Sequence, residues 1–67
     1  MVEWYEIPVK VIRDGKEMVV PANQISKGDY VFWSGRKVKC DGCIPDDDEE
    51  VMYLRFGIDN WPAEMFD

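Results

Sequence analysis

Apolar and polar residues alternate along the first stretch of the chain. Across residues 4–13, Tyr5, Ile7, Val9 and Val11 fall on one side, and Glu6, Pro8 and Lys10 on the other, with Trp4 and Ile12 less easily placed. Strand side chains point to opposite faces in turn, so this period of two predicts a half-buried strand. Pro8 cannot donate to a ladder, which predicts an edge strand or a bulge at that point. Asp14-Gly15 follows, a pair suited to a two-residue hairpin turn in which both residues take positive φ. Such a turn sets Arg13 opposite Lys16, Val11 opposite Met18 and Val9 opposite Val20. Turn chemistry and apolar pattern therefore agree on one register.

The pattern then breaks at Pro21-Ala22-Asn23, and Ile25 is expected to plug the core from a short connection. A turn at Lys27-Gly28-Asp29 leads into an aromatic strand from Tyr30 to Trp33. Ser34-Gly35 turns the chain back along a basic strand that reaches about Cys40, with Trp33 opposite Arg36 and Val31 opposite Val38. Phe32 then lies beside Lys37 on the other face. Cys40-Asp41-Gly42-Cys43 reads as a further turn, and the acids at 46–50 read as a solvated loop. Residues 51–56 are nearly continuously apolar, which predicts a strand covered on both sides. Gly57 ends it, and residues 59–66 offer capping residues, an early proline and helix formers, the signs of one helical turn.

Five short strands joined by turns predict an all-β fold in a single domain over residues 1–67. The expected architecture is a strongly bent, SH3-like, five-stranded antiparallel barrel with a short C-terminal helical turn. An OB-type barrel is the second choice, weakened by the lack of a mid-chain helix. At 67 residues the chain has a small core, but 46% hydrophobic and 13% aromatic residues make one feasible without metal or disulfides.

Charge changes this picture in one respect. The net charge of −6 is unevenly spread: residues 1–45 hold seven Lys/Arg against six Asp/Glu, and residues 46–67 hold one Arg against eight acids. The global balance disfavours nonspecific nucleic-acid binding, which depends on Lys/Arg neutralising phosphates. No apolar run approaches the length of a membrane span. The first residues lack the basic and apolar regions of a signal peptide, so a cytoplasmic location is expected.

The pattern Val20-x-Ala22-x-x-Ile25-x-x-Gly28-Asp29-x-Val31 resembles the strand-turn-strand entry of Hint-type, intein-like small β folds. With Trp4 before it, Trp33-Ser34-Gly35 after it and a closing Val-x-Tyr-Leu-x-Phe strand, the chain also resembles small β proteins encoded by bacteriophages. The resemblance spans residues 4–58. It implies a small barrel of phage type, which would place the protein in the host cytoplasm. It does not imply splicing, because the chain has no initial Cys or Ser and no His.

Four groups of residues are candidates for chemistry. Cys40 and Cys43 have the spacing of half a zinc site, but four ligands are usual and no other Cys or His exists. They could join two chains through metal or disulfide, or simply flank a turn. Asp46, Asp47, Asp48, Glu49 and Glu50 lack the spacing and glycine of a calcium loop. They suit a basic protein partner, or serve as a solubilising loop. Lys37 and Lys39 share a face with Tyr30 and Phe32, an arrangement that can stack bases while cations follow a backbone. Trp4, Trp33 and Trp61 could anchor an interface or seal the ends of the fold.

Without histidine or a glycine-rich phosphate loop, no enzyme and no cofactor are expected. The expected function is a small acidic binding module that engages a protein through Trp4, Trp33, Trp61 and the acids at 46–50. The alternatives are a nucleic-acid-binding barrel using Lys37, Lys39, Tyr30 and Phe32, and a homo-oligomer linked through Cys40 and Cys43.

Overall fold

The structure, a computed structural model, describes residues 3–66. The predicted first hairpin is present: β1 (Pro8–Arg13) pairs with β2 (Lys16–Pro21) in the expected register, including Val9 with Val20 and Val11 with Met18. Asp14 and Gly15 take φ values of 52° and 78°, the left-handed pair that a tight hairpin turn needs. The second hairpin is likewise as expected. β3 (Tyr30–Trp33) pairs with β4 (Arg36–Lys39), setting Val31 against Val38 and Phe32 against Lys37.

The order of the first sheet is β2-β1-β3-β4, so β1 is an inner strand and not the edge that Pro8 suggested. Pro8 is tolerated because β3 reaches only Val11 and Ile12 of β1. At Pro8 the sole strand neighbour is β2, so no ladder bond is lost.

The predicted five-stranded barrel is replaced by seven strands in two antiparallel sheets, neither of which closes among the described residues. The second sheet has the order β5-β6-β7, built from β5 (Gly42–Asp46), β6 (Val51–Phe56) and β7 (Asp59–Pro62). Two of these strands were hidden from pattern reading. The expected turn at Cys40 to Cys43 is only a crossing point. Cys40 N–H still donates to Asp29 O at 2.7 Å in the first sheet, and Gly42, at φ 137°, then starts β5. Gly42 occupies a region that side chains rarely enter, which is why the crossing falls there.

The helical turn expected over 59–66 is a strand followed by a short 3-10 turn at Ala63–Met65. Pairing with β6 overrides the capping residues and places Pro62 at the end of an edge strand, where it is harmless. At the other end, Trp4–Glu6 is a 3-10 turn and not the start of the first strand.

One core cluster joins the sheets. Val9, Val11, Val20 and Val31 come from the first sheet and Met52 and Leu54 from the second, with Ala22, Ile25, Cys40 and Ala63 between them. β6 is not covered on both sides as expected. Met52 and Leu54 are buried, Val51 and Tyr53 are half-buried, and Arg55 is exposed, which is the alternation of a strand with one dry face.

Candidate functional site

The sequence presents the three tryptophans as one group, and the fold divides them. Trp33 follows Val31 on the core-facing side of β3, and Trp61 lies opposite Leu54 on the core-facing side of β7. Each stands beyond the packed core, where β4 and β7 leave the two sheets unclosed. Together with Val38, Phe56, Met65 and Phe66 they line an apolar cleft of about 270 Å³. Phe66 is its inner wall: its ring centroid is 5.3 Å from Phe56 and 5.7 Å from Trp33. The tryptophans are its open lips, 41% and 47% exposed. Ile58, 97% exposed at the tip of the β6–β7 hairpin, adds a further apolar side chain beyond Phe56.

Trp4 lies at the opposite end of the second sheet. Its ring meets Tyr5 edge to face, with centroids 5.2 Å apart and planes at 90°. The pair forms two walls of a shallow hollow of about 290 Å³, shared with Asn23, Cys43, Pro45, Met52 and Asp47. Asp47 belongs to the acidic β5–β6 loop, so this loop accompanies Trp4 and not the cleft. The two ends of β6 are about 17 Å apart at the usual strand rise, which separates the expected partner residues into two surfaces.

The acidic loop has a structural member. Asp46 Oδ1 accepts hydrogen bonds from the backbone N–H of Asp48 and of Glu49, both at 3.1 Å, and so shapes the turn. Glu49 Oε2 accepts the Tyr53 hydroxyl at 3.2 Å, an arrangement that raises the phenol above its ordinary pKa. Asp47, Asp48 and Glu50 are exposed. Among the described residues the ion pairs are Lys10–Glu17 and Arg13–Asp29, so none involves this loop.

The basic face is assembled as the register predicted. Lys37 Nζ stands 5.7 Å from the Tyr30 ring centroid, and Lys10, which was not anticipated, stands 5.7 Å from that of Phe32. Lys39 is opposite Tyr30 on the same face. Each ring thus already carries an ammonium over its face, and a stacking base would have to displace it.

Cys40 and Cys43 are both free thiols. Cys40 Sγ donates to Gly42 O at 3.0 Å and Cys43 Sγ to Ile25 O at 3.6 Å. Burial pushes both thiols above their ordinary pKa, which disfavours the thiolate that metal binding or disulfide exchange requires. No group of three or more His, Cys, Asp or Glu among the described residues is placed to hold a metal ion.

The buried ion pair was missed. Asp29, 3% exposed, accepts Arg13 Nη2 at 2.7 Å and Arg13 Nε at 3.0 Å. It also accepts Ser26 N–H at 3.0 Å, while Arg13 Nη2 reaches Gln24 O. The Arg13 hydrogen bond holds the Asp29 carboxyl below the usual aspartate range. A signal was present: Arg13 shares the inward face with Val9 and Val11, and an inward charge demands a partner.

The P-type ATPase actuator domain family matches residues 4–54. No curated protein and no solved structure matches the chain. The matched stretch contains the whole first sheet, the Ile25 to Val31 motif, the acidic loop and the first four residues of β6. It leaves out Phe56, Trp61, Met65 and Phe66, so four of the six residues lining the cleft lie beyond the matched region. With the match covering most of its length, the chain belongs to the P-type ATPase actuator domain family.

Proposed function

We propose that this chain is a non-enzymatic binding module whose protein partner enters the cleft between Trp33 and Trp61. The observation that carries the reading is the pairing of two exposed tryptophans from different sheets over a shared apolar floor. Interfaces are enriched in such aromatic anchors, and their energy concentrates where an anchor fills a pocket. A cleft with Phe56, Phe66 and Met65 at its floor suits an apolar side chain of the partner. The edges of β4 and β7 flank the cleft, and the charges and proline they carry leave side-chain contacts as the main means of holding a partner.

The test is selection of binders from a displayed random-peptide library, followed by affinity measurement on variants. Peptides anchored by a large apolar residue are expected. Trp61→Ala should weaken them by about 2 kcal/mol, roughly thirtyfold. Trp61 lies on an exposed edge strand, so the variant should keep its circular dichroism. Peptides that bind the Trp61→Ala and Met65→Ser proteins as tightly as the parent would remove the cleft from the reading.

A further inference from the structure

We propose that the hollow between the Trp4–Tyr5 corner and the acidic β5–β6 loop receives an arginine side chain from a basic peptide segment of a partner protein. This rests on reading the chain as a binding module, but not on the Trp33–Trp61 cleft. The walls are the first observation. Trp4 and Tyr5 meet at 90°, and with Pro45 and Met52 they border a shallow, open hollow of about 290 Å³ that is largely apolar. Two aromatic walls at a right angle give a planar cation one ring to stack on and another ring's edge beside it. Guanidinium is the cation that combines stacking with directed hydrogen bonds to a carboxylate.

Charge decides the occupant. Asp47 is the charged residue lining the hollow. Glu3 and Glu6 adjoin the aromatic pair in the chain, and Asp47 belongs to the acidic loop at 46–50, whose Glu49 is held by Tyr53 on the other face of β6. No ion pair among the described residues involves the acidic loop. Arg55 is the only Lys or Arg after residue 45, and it sits toward the far end of β6, its Nε donating to Gly57 O at 3.2 Å. Lys10, Lys37 and Lys39 stand on the outer face of the first sheet. An apolar-walled hollow that carries Asp47 and adjoins an acidic loop complements a basic peptide and repels an acidic one. Asp46 tethers the loop backbone through two hydrogen bonds, so the loop is already ordered before a partner arrives.

The test uses a short synthetic peptide with one central arginine among lysines and glycines, and the same peptide with citrulline in its place. Both are titrated into the 15N-labelled protein at fixed ionic strength, and the indole N–H resonances are followed. The arginine peptide should shift the Trp4 resonance and leave those of Trp33 and Trp61 in place. Citrulline in the peptide, or Asp47→Asn in the protein, should each weaken binding about tenfold. Asp47 is exposed, so its variant should fold normally. Asp48→Asn should change affinity less than about twofold, as expected of an exposed charge in water. Met65→Ser, which alters the cleft, should leave this binding unchanged. Equal affinity for the citrulline peptide overturns the proposal, as does an unmoved Trp4 resonance. So does an Asp48→Asn loss as large as that of Asp47→Asn, since that would be diffuse charge attraction and not a site.

Discussion

Asp29 is the polar residue on which the first sheet depends. Its carboxylate holds Arg13 at the end of β1 and the backbone of Ser26 in the turn before β3. Replacing it with alanine leaves Ser26 N–H without its acceptor and leaves the partly exposed guanidinium with Gln24 O alone. The expected cost is about 2 kcal/mol at neutral pH, read as the loss in unfolding free energy in urea. The pH dependence follows from the direction of the shift. A carboxyl held below its ordinary value stabilises the fold above that value, and loses this contribution as pH falls through its depressed one. The gap between the Asp29→Ala protein and the parent should therefore narrow toward strongly acid pH. A gap that stays constant down to about pH 2 would mean that ionisation of Asp29 contributes nothing.

At the scale of elements, the hairpins set the register and their turns carry the strain. Ser34 sits at φ 50°, a left-handed conformation that L residues adopt at a cost and that asparagine tolerates better. Ser34→Asn should stabilise the domain by about 0.5 kcal/mol, and Ser34→Val should destabilise it by about 1 kcal/mol or more. Thermal unfolding of the two variants checks this, and the reverse order would show that the turn is not left-handed. Edges are handled by simple chemistry. The β4 edge carries Arg36, Lys37 and Lys39, while β5 and β7 carry Pro45 and Pro62, features that discourage pairing with other chains. A partner that adds to β4 must therefore bring charge or apolar contacts that compensate.

At the scale of the molecule, the sheets are held by a small cluster and by little else. Leu54 and Met52 bring the second sheet onto the valines of the first. Leu54→Ala should cost about 3 kcal/mol. A domain of 67 residues has only a modest margin, so this one change should leave a large unfolded fraction at 37 °C, visible by circular dichroism. An unchanged melting curve would show that the two sheets do not depend on each other. The same arrangement separates charge across the molecule. Lysines line the outer face of the first sheet and acids gather at one end of the second, with the apolar cleft at the other end. The molecule therefore offers three chemically different surfaces, and a single partner need not use more than one.

The sequence by itself determined both hairpins of the first sheet, because period-two patterning and turn residues are local and agree with each other at Asp14-Gly15 and Ser34-Gly35. It also determined the basic face, since Lys37 and Lys39 meet Phe32 and Tyr30 through that register. Only tertiary structure decided the second sheet. β5 contains a glycine and a proline, β7 contains capping residues and a proline, and neither looks like a strand until β6 lies between them as a partner. The sites depended on that decision. Trp33 and Trp61 share a cleft because the two sheets remain open on that side, and Trp4 joins the acidic loop because the end of β5 at Pro45 and the loop residue Asp47 pass beside it. Contacts between residues far apart in the chain arise from sheet packing, and no local pattern in the sequence encodes which tryptophan will face which.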